Sequence, residues 1–241
     1  MQFIIEETYE DVSRAAADII AEQIQSKPAA VLGLATGSTP IGTYEELIAK
    51  FKRGEVSFKD ITTFNLDEYA GLDGDHDQSY RWFMNHHLFD NVDIDKVRTH
   101  VPSGNSDDPE KMCEDYEKAI EEAGGVDLQL LGLGHNGHIG FNEPCDEFPV
   151  STHYVELTQS TIEANSRLFN SIDEVPTAAY TMGIGTIMKA RKVLLIATGE
   201  GKAEIVKKAF KGEVTPQVPA SILQSHPDCT IILDKEAASQ L

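Results

Sequence analysis

The chain has 241 residues, 41% of them hydrophobic and 25% charged, which excludes a disordered or collagen-like protein. Its three cysteines, Cys113, Cys145 and Cys229, are odd in number and far apart, so they suit neither a disulfide framework nor a zinc ribbon and indicate a reducing compartment. Forty acidic against twenty basic residues give a net charge of −20, a surface that repels nucleic-acid backbones and anionic membranes alike.

The N-terminus carries acids where a signal peptide would carry bases, and the apolar runs are strand-sized rather than membrane-sized, so the expected location is the cytoplasm. The first helix signal opens at Thr8, which with Asp11 resembles a capping box. Val12, Ala15, Ala16, Ile19, Ile20 and Ile24 then recur at helical spacing until Lys27-Pro28 stops the segment. A strand-like run, AAVLGLA (29–35), precedes a helix over PIGTYEELIAKFKRG (40–54) with Pro40 at its first position. ITTFNL (61–66) reads as a strand, PEKMCEDYEKAIEEAGG (109–125) as a helix and DLQLLGLG (127–134) as a strand.

Residues 144–176 break this rhythm: THYVELT has a strand pattern and IEANSRLF a short helical one, but no long buried run is present, and the segment reads as a lid over a site. The alternation resumes with RKVLLIAT (191–198), GKAEIVKKAFKG (201–212) and CTIILD (229–234). Apolar runs without polar alternation suit strands covered on both faces, and strand-helix alternation predicts an α/β fold with a mainly parallel sheet. One domain over residues 1–241 is expected, with ligand sites beyond the C-terminal ends of the strands.

Three loops at such positions carry chemistry. ATGSTP (35–40) sets Thr36, Gly37, Ser38 and Thr39 between a strand and a helix, where backbone N–H groups and hydroxyls receive a phosphate; the plain alternative is a strand-to-helix turn. It lacks the glycine-lysine pattern of a nucleotide triphosphate loop. In NLDEYAG (65–71), Asp67 and Glu68 face opposite ways, so one carboxylate enters a site as a general base for a proton alpha to a carbonyl or imine, unless both form a solvated turn. GLGHNGHIGFNEP (132–144) formally satisfies the dinucleotide glycine pattern through Gly132, Gly134 and Gly137, with Glu156 near the place of the ribose-binding acid. Yet Asn136, His138, Asn142, Glu143 and Pro144 crowd it with side-chain chemistry, and His138 lies within loop reach of Glu143. His135 and His138 find no third metal ligand at a recognisable spacing. Arg167 and Lys202 are isolated cations that either serve a phosphate or sit on the surface, and His86 and His87 are assigned no role.

In this order, ATGSTP, FNLDEYAGL, GLGHNGHIGFNEP, ANSRLF and TGEGKA resemble the glucosamine-6-phosphate deaminase family of amino-sugar catabolism, over residues 1 to about 235. The resemblance implies a Rossmann-like three-layer sandwich shared with 6-phosphogluconolactonases. It also implies conversion of glucosamine 6-phosphate and water to fructose 6-phosphate and ammonium, without an organic cofactor or metal. The implied partner is a small-molecule sugar phosphate, with no nucleic acid and no membrane.

By motif position, Asp67 matches the base that moves a proton between C2 and C1 through an enolamine. His138 matches the residue that opens the pyranose ring, aided by Glu143 and Asn136. The phosphate group corresponds to Thr36 through Thr39, Arg167 and Lys202. Many relatives have Asp where Asn136 stands; an amide supplies no negative charge, so a different pH profile is expected. Where longer, hexameric members carry a basic allosteric pair, this chain has His153 and Val155. Activation by N-acetylglucosamine 6-phosphate is therefore not expected, and the sequence is compatible with a monomer while leaving a homo-oligomer open. The competing readings are a 6-phosphogluconolactonase, whose usual Asp-Gly-His-Thr-Ala-Ser-type loop is replaced here by Asn136 through Phe141, a non-catalytic sugar-phosphate sensor, and a dehydrogenase.

Overall fold

The apolar runs become adjacent parallel strands. In the computed structural model, which describes residues 1–166, 169 and 171–241, the chain runs β1 (Gln2–Glu6), α1 (Tyr9–Ser26), β2 (Val31–Leu34), α2 (Ile41–Lys52), β3 (Thr62–Asn65), β4 (Asp67–Tyr69) and α3 (Tyr80–His87). It continues with β5 (Thr99–His100), α4 (Pro109–Glu122), β6 (Leu128–Leu131), β7 (His153–Glu156), α5 (Gln159–Asn165), β8 (Ala178–Thr181), α6 (Ile184–Met188), β9 (Lys192–Ala197), α7 (Ala203–Lys211) and β10 (Cys229–Asp234). Seven strands form one sheet in the order β1-β10-β9-β6-β2-β3-β5, every pair parallel. Helices flank it in a three-layer α/β sandwich, and β2 and β6 are buried along their whole length, as their uninterrupted apolar sequence requires.

Helix α1 follows the predicted pattern. Thr8 caps it by accepting the Asp11 N–H at 3.2 Å, and Val12, Ala16, Ile20 and Ile24 are buried against the sheet and α2. Helix α2 starts one residue later than the sequence suggests: Pro40 is the N-cap rather than the first helical residue, giving its carbonyl to Tyr44 N–H at 3.0 Å. The Tyr44 hydroxyl in turn bonds the Ala35 carbonyl at 2.5 Å, clamping the end of β2 where the ATGSTP loop begins.

The segment 144–176 is less detached than a simple lid. β7 is an edge strand of a second, antiparallel sheet of order β4-β8-β7, in which Asp67 pairs with Thr181 and His153 pairs with Thr181 on the other side. Leu66 joins the two sheets: its N–H bonds the Leu34 carbonyl at 3.0 Å and its carbonyl takes the Met182 N–H at 2.7 Å. Tyr69, Phe141, Leu157 and Ala179 form the small apolar core beneath this sheet. The short helix starts at Gln159, earlier than IEANSRLF suggests, because Thr158 caps it by accepting the Thr161 N–H at 3.3 Å. No helix among the described residues is long and apolar enough to cross a membrane.

Candidate active site

The C-terminal ends of β2, β3 and β6 open into a cavity of about 300 Å³. Its wall is made by the Ala35–Thr39 loop, Leu66 and Asp67, Tyr80, Gly132 to His135, His138, Gly140, Phe141, Thr161 and Lys202. Asp67, His138, Lys202 and the four residues Thr36 to Thr39 therefore share one cavity. Asn136 and Glu143 stand behind His138, and Arg167 lies outside the described residues. A larger groove of about 1120 Å³ runs along α4 beside β7 and gathers Glu110, Glu114, Glu117, Glu121 and His153, but among the described residues no ion pair joins that imidazole to a carboxylate, whereas His138 has Glu143 at 3.4 Å. Size does not pick the site; chemistry does.

Asp67 opens β4 and is 6% exposed; its backbone pairs with Thr181, but its carboxylate makes no hydrogen bond or ion pair among the described residues. Burial, reinforced by the charge of Glu68, pushes its carboxyl up to about 8. Glu68 faces the other way and accepts three backbone N–H groups, from Tyr69 at 2.9 Å, Tyr80 at 2.8 Å and Arg81 at 2.9 Å. It ties β4 to the start of α3. Burial pushes Glu68 up as well, to about 7, against those three donors, which favour its anion.

The loop after β6 is a tight turn in which Gly137 N–H bonds the Gly134 carbonyl at 3.1 Å and Gly134 N–H bonds the His138 carbonyl at 2.9 Å. Gly137 holds a φ of +89°, and a Cβ on Gly134 would come within 2.2 Å of the His138 ring. These glycines let the backbone turn back under an imidazole. No helix begins within residues 132–151, so the loop lacks the helix N-terminus that a dinucleotide pyrophosphate needs, and the dehydrogenase reading falls.

His138 Nδ1 lies 3.4 Å from Glu143 Oε2, within ion-pair range. His138 Nδ1 makes no hydrogen bond among the described residues, while Glu143 accepts the Asn136 side-chain amide and, at 2.6 Å, the Thr161 hydroxyl. Burial opposes its ionisation, but His138, Thr161 and Asn136 together hold its carboxyl down at about 2. Asn136 does not hold the imidazole itself: its side-chain oxygen accepts the His138 backbone N–H at 3.2 Å and its amide goes to Glu143. His135 packs edge-on to His138 with ring centres 5.8 Å apart. No cluster of three potential metal-ligating side chains occurs among the described residues.

Lys202 donates its ammonium to the Leu133 carbonyl at 2.7 Å, and burial lowers its pKa. The turn before it is anchored by Asp234, at the end of β10, whose carboxylate takes the Gly199 N–H at 2.8 Å and the Ala237 N–H at 2.7 Å. Sequence reasoning missed Tyr80, Phe141 and Thr161. Thr161 carried a readable signal, standing three residues after a helix-capping threonine; the aromatic pair carried none, because it is brought together only by the second sheet. The cavity sets a carboxylate with no side-chain partner among the described residues and an imidazole beside a loop rich in N–H donors and a half-buried cation.

Residues 5–232 match the family described as glucosamine-6-phosphate isomerases/6-phosphogluconolactonase. The glucosamine-6-phosphate deaminase of Thermoanaerobacter pseudethanolicus is 55% identical over 239 residues, covering 99% of this chain and 94% of the relative. That of Clostridium tetani is 57% identical over 238 residues, covering 99% of each. A solved structure described as a monomeric glucosamine-6-phosphate deaminase superposes with a TM-score of 0.97 at 48% identity, covering 100% of both chains. The 6-phosphogluconolactonase of Trypanosoma brucei superposes with a TM-score of 0.76 at 22% identity, covering 100% of this chain and 98% of its own, a likeness of fold alone.

Proposed function

The chain belongs to the glucosamine-6-phosphate isomerase/6-phosphogluconolactonase family, and we propose that it converts glucosamine 6-phosphate and water to fructose 6-phosphate and ammonium. The observation that carries this reading is the meeting of Asp67 and His138 in one cavity walled by the Thr36–Thr39 loop and Lys202. Backbone N–H groups at the start of α2 and the Lys202 ammonium receive the phosphate, a local positive site inside a strongly acidic protein. Arg167 joins this group on its motif alone.

The first step opens the ring. His138 takes the proton of the anomeric hydroxyl and delivers one to the ring oxygen, breaking the C1–O5 bond and leaving an aldehyde at C1. Glu143, 3.4 Å from Nδ1, orients the imidazole. Asp67 then removes the proton from C2 while the C1 carbonyl oxygen takes one from the substrate's own ammonium, giving an enolamine with a hydroxyl at C1; Asp67 returns its proton to C1, leaving a hydroxymethyl group there and a protonated imine at C2. Water adds to C2 and the amine departs as ammonia, which accounts for the water consumed. Asp67 must be ionised to act, and its burial opposes that; the substrate's ammonium, brought against it, favours the carboxylate.

The lactonase reading has the weaker support: it shares the fold at low identity, while the Asn136–Phe141 loop departs from the lactonase pattern. We assign residues 1–241 to one unit with 144–176 as its lid, acting in the cytoplasm as a monomer, as the monomeric structural neighbour supports. The test is ammonium release by the purified protein given glucosamine 6-phosphate. Turnover without added metal, unchanged by EDTA, is expected; no ammonium would end the proposal.

A further inference from the structure

Glu143 is held from two directions. Oε2 takes the Asn136 amide and lies 3.4 Å from His138 Nδ1, while Oε1 takes the Thr161 hydroxyl at 2.6 Å from α5. Thr161 sits in the first turn of α5, 5% exposed, and its side chain is part of the cavity wall. Thr158, the cap of that helix, donates its hydroxyl to Thr161 Oγ1 at 3.0 Å.

The direction of this chain follows from the groups themselves. An ionised carboxylate only accepts, so the single Thr161 proton points at Glu143 and the Thr161 oxygen is left to accept from Thr158. The terminal torsion of a glutamate is soft, and a carboxylate held at one oxygen swings about it freely. Pinned at Oε1 by Thr161 as well as at Oε2, it keeps Oε2 turned toward His138. The groups facing this carboxylate are His138 and Asn136 from its own loop and Thr161 from α5; no lysine or arginine pairs with it among the described residues.

We infer that Thr161 is a positioning residue for ring opening: it fixes the rotation of the Glu143 carboxylate, and through it the His138 imidazole, and so makes that step depend on α5 being seated over the cavity. The inference rests on the deaminase reading of the site. It separates ring opening, which needs the tether, from proton transfer at C2 by Asp67, which does not.

Thr161→Val keeps the shape and removes the hydroxyl, and Thr161→Ser keeps the hydroxyl. The step is read as enzyme-catalysed interconversion of the two anomers of glucosamine 6-phosphate, which proceeds through the open chain. Binding is read with the amino-alditol 6-phosphate made by reducing the substrate's aldehyde, which has no ring to open. The valine variant is expected to lose tenfold or more in anomer interconversion and in kcat, with the open-chain probe binding within twofold of wild type, and the serine variant to stay within threefold throughout. Three results would overturn the role: a valine variant with wild-type ring opening, a serine variant as impaired as valine, or a raised KM at unchanged kcat, which would make Thr161 a direct substrate contact. If the wild-type protein releases no ammonium, it is the reading of the site that fails; an active wild type with an unaffected valine variant sinks only Thr161.

Discussion

Asp67 and Glu68 are neighbours on β4, both buried, and their carboxylates have opposite fates: that of Asp67 faces the cavity without a partner among the described residues, while that of Glu68 is spent on three backbone N–H groups of Tyr69, Tyr80 and Arg81. Strand alternation makes the division automatic, since successive side chains leave opposite faces. One acid fixes the frame and the other is left free to react, and the fixed anion raises the proton affinity of the free one.

Replacing Asp67 by Asn deletes the base and keeps its shape. Turnover is expected to fall by about 10² to 10⁴-fold, the usual range for a lost general base, while KM stays within a few-fold. Steady-state ammonium release checks this, and turnover near wild type would remove Asp67 from its role.

The pH dependence has a definite sign. Asp67 acts as the carboxylate, and burial and Glu68 push its pKa up to about 8 in the empty site, so kcat/KM is expected to decline as pH falls through that region. The substrate ammonium favours ionisation, so the acidic limb of kcat should lie at lower pH than that of kcat/KM. Profiles whose two limbs coincide in the ordinary carboxylate range would contradict the burial of this acid as the controlling feature.

A stability cost accompanies this activity. The folded-state pKa of Asp67 lies above its unfolded value, so ionisation favours unfolding: the cost is absent below the unfolded value, grows as pH rises toward about 8 and then levels off. Asp67→Asn escapes it. Thermal melts should show a melting-temperature advantage for the variant that widens between pH 5 and pH 8, by roughly 3 °C or more, taking ~1 kcal/mol as 2–4 °C for a chain of this size. An advantage that is flat with pH would mean Asp67 is not ionised against its surroundings.

Much of this was legible in the residues. AAVLGLA, DLQLLGLG and RKVLLIAT had to be central parallel strands because they are apolar on both faces, and Thr8 to Ile24 had to be a helix because its apolar positions return at the helical period. What was not legible is the second sheet: β4, β7 and β8 are three or four residues long, too short to show a period, and their pairing depends on Leu66 bridging to Met182. The site motifs stood out because they put acids, imidazoles and amides where backbone turns need only glycine. The glycine pattern misled for a physical reason. Room for a side chain and room for a pyrophosphate leave the same signature in sequence, and only the His138 ring over Gly134 tells them apart.

Lys202 has burial working against its charge and, among the described residues, the Leu133 carbonyl as its acceptor and no carboxylate paired with it, so a phosphate would supply an anion. Lys202→Met is expected to raise KM for glucosamine 6-phosphate by about 10 to 100-fold, the size of a lost charged hydrogen bond, with a smaller effect on kcat. Asp234→Ala, which frees the turn at Gly199, should give a weaker rise of the same kind, and Asp234→Asn less again because one acceptor oxygen remains. Competition by inorganic phosphate should weaken in parallel in all three. A kcat defect without a KM change would place Lys202 in the chemistry instead of the phosphate site.

Ring opening and proton transfer at C2 are assigned to different residues, so they should come apart in a double-variant experiment. Asp67→Asn keeps His138, Glu143 and Thr161 intact, and is expected to catalyse interconversion of the two anomers of glucosamine 6-phosphate at a rate near wild type while releasing almost no ammonium. Adding His138→Asn to it should abolish the anomer interconversion, because an asparagine cannot carry a proton from the anomeric hydroxyl to the ring oxygen at neutral pH. Polarimetry on freshly dissolved substrate, with ammonium measured in parallel, reads both steps in one sample. If Asp67→Asn alone stops anomer interconversion, Asp67 takes part in opening the ring, and the division of labour between the β4 carboxylate and the imidazole of the loop after β6 is wrong.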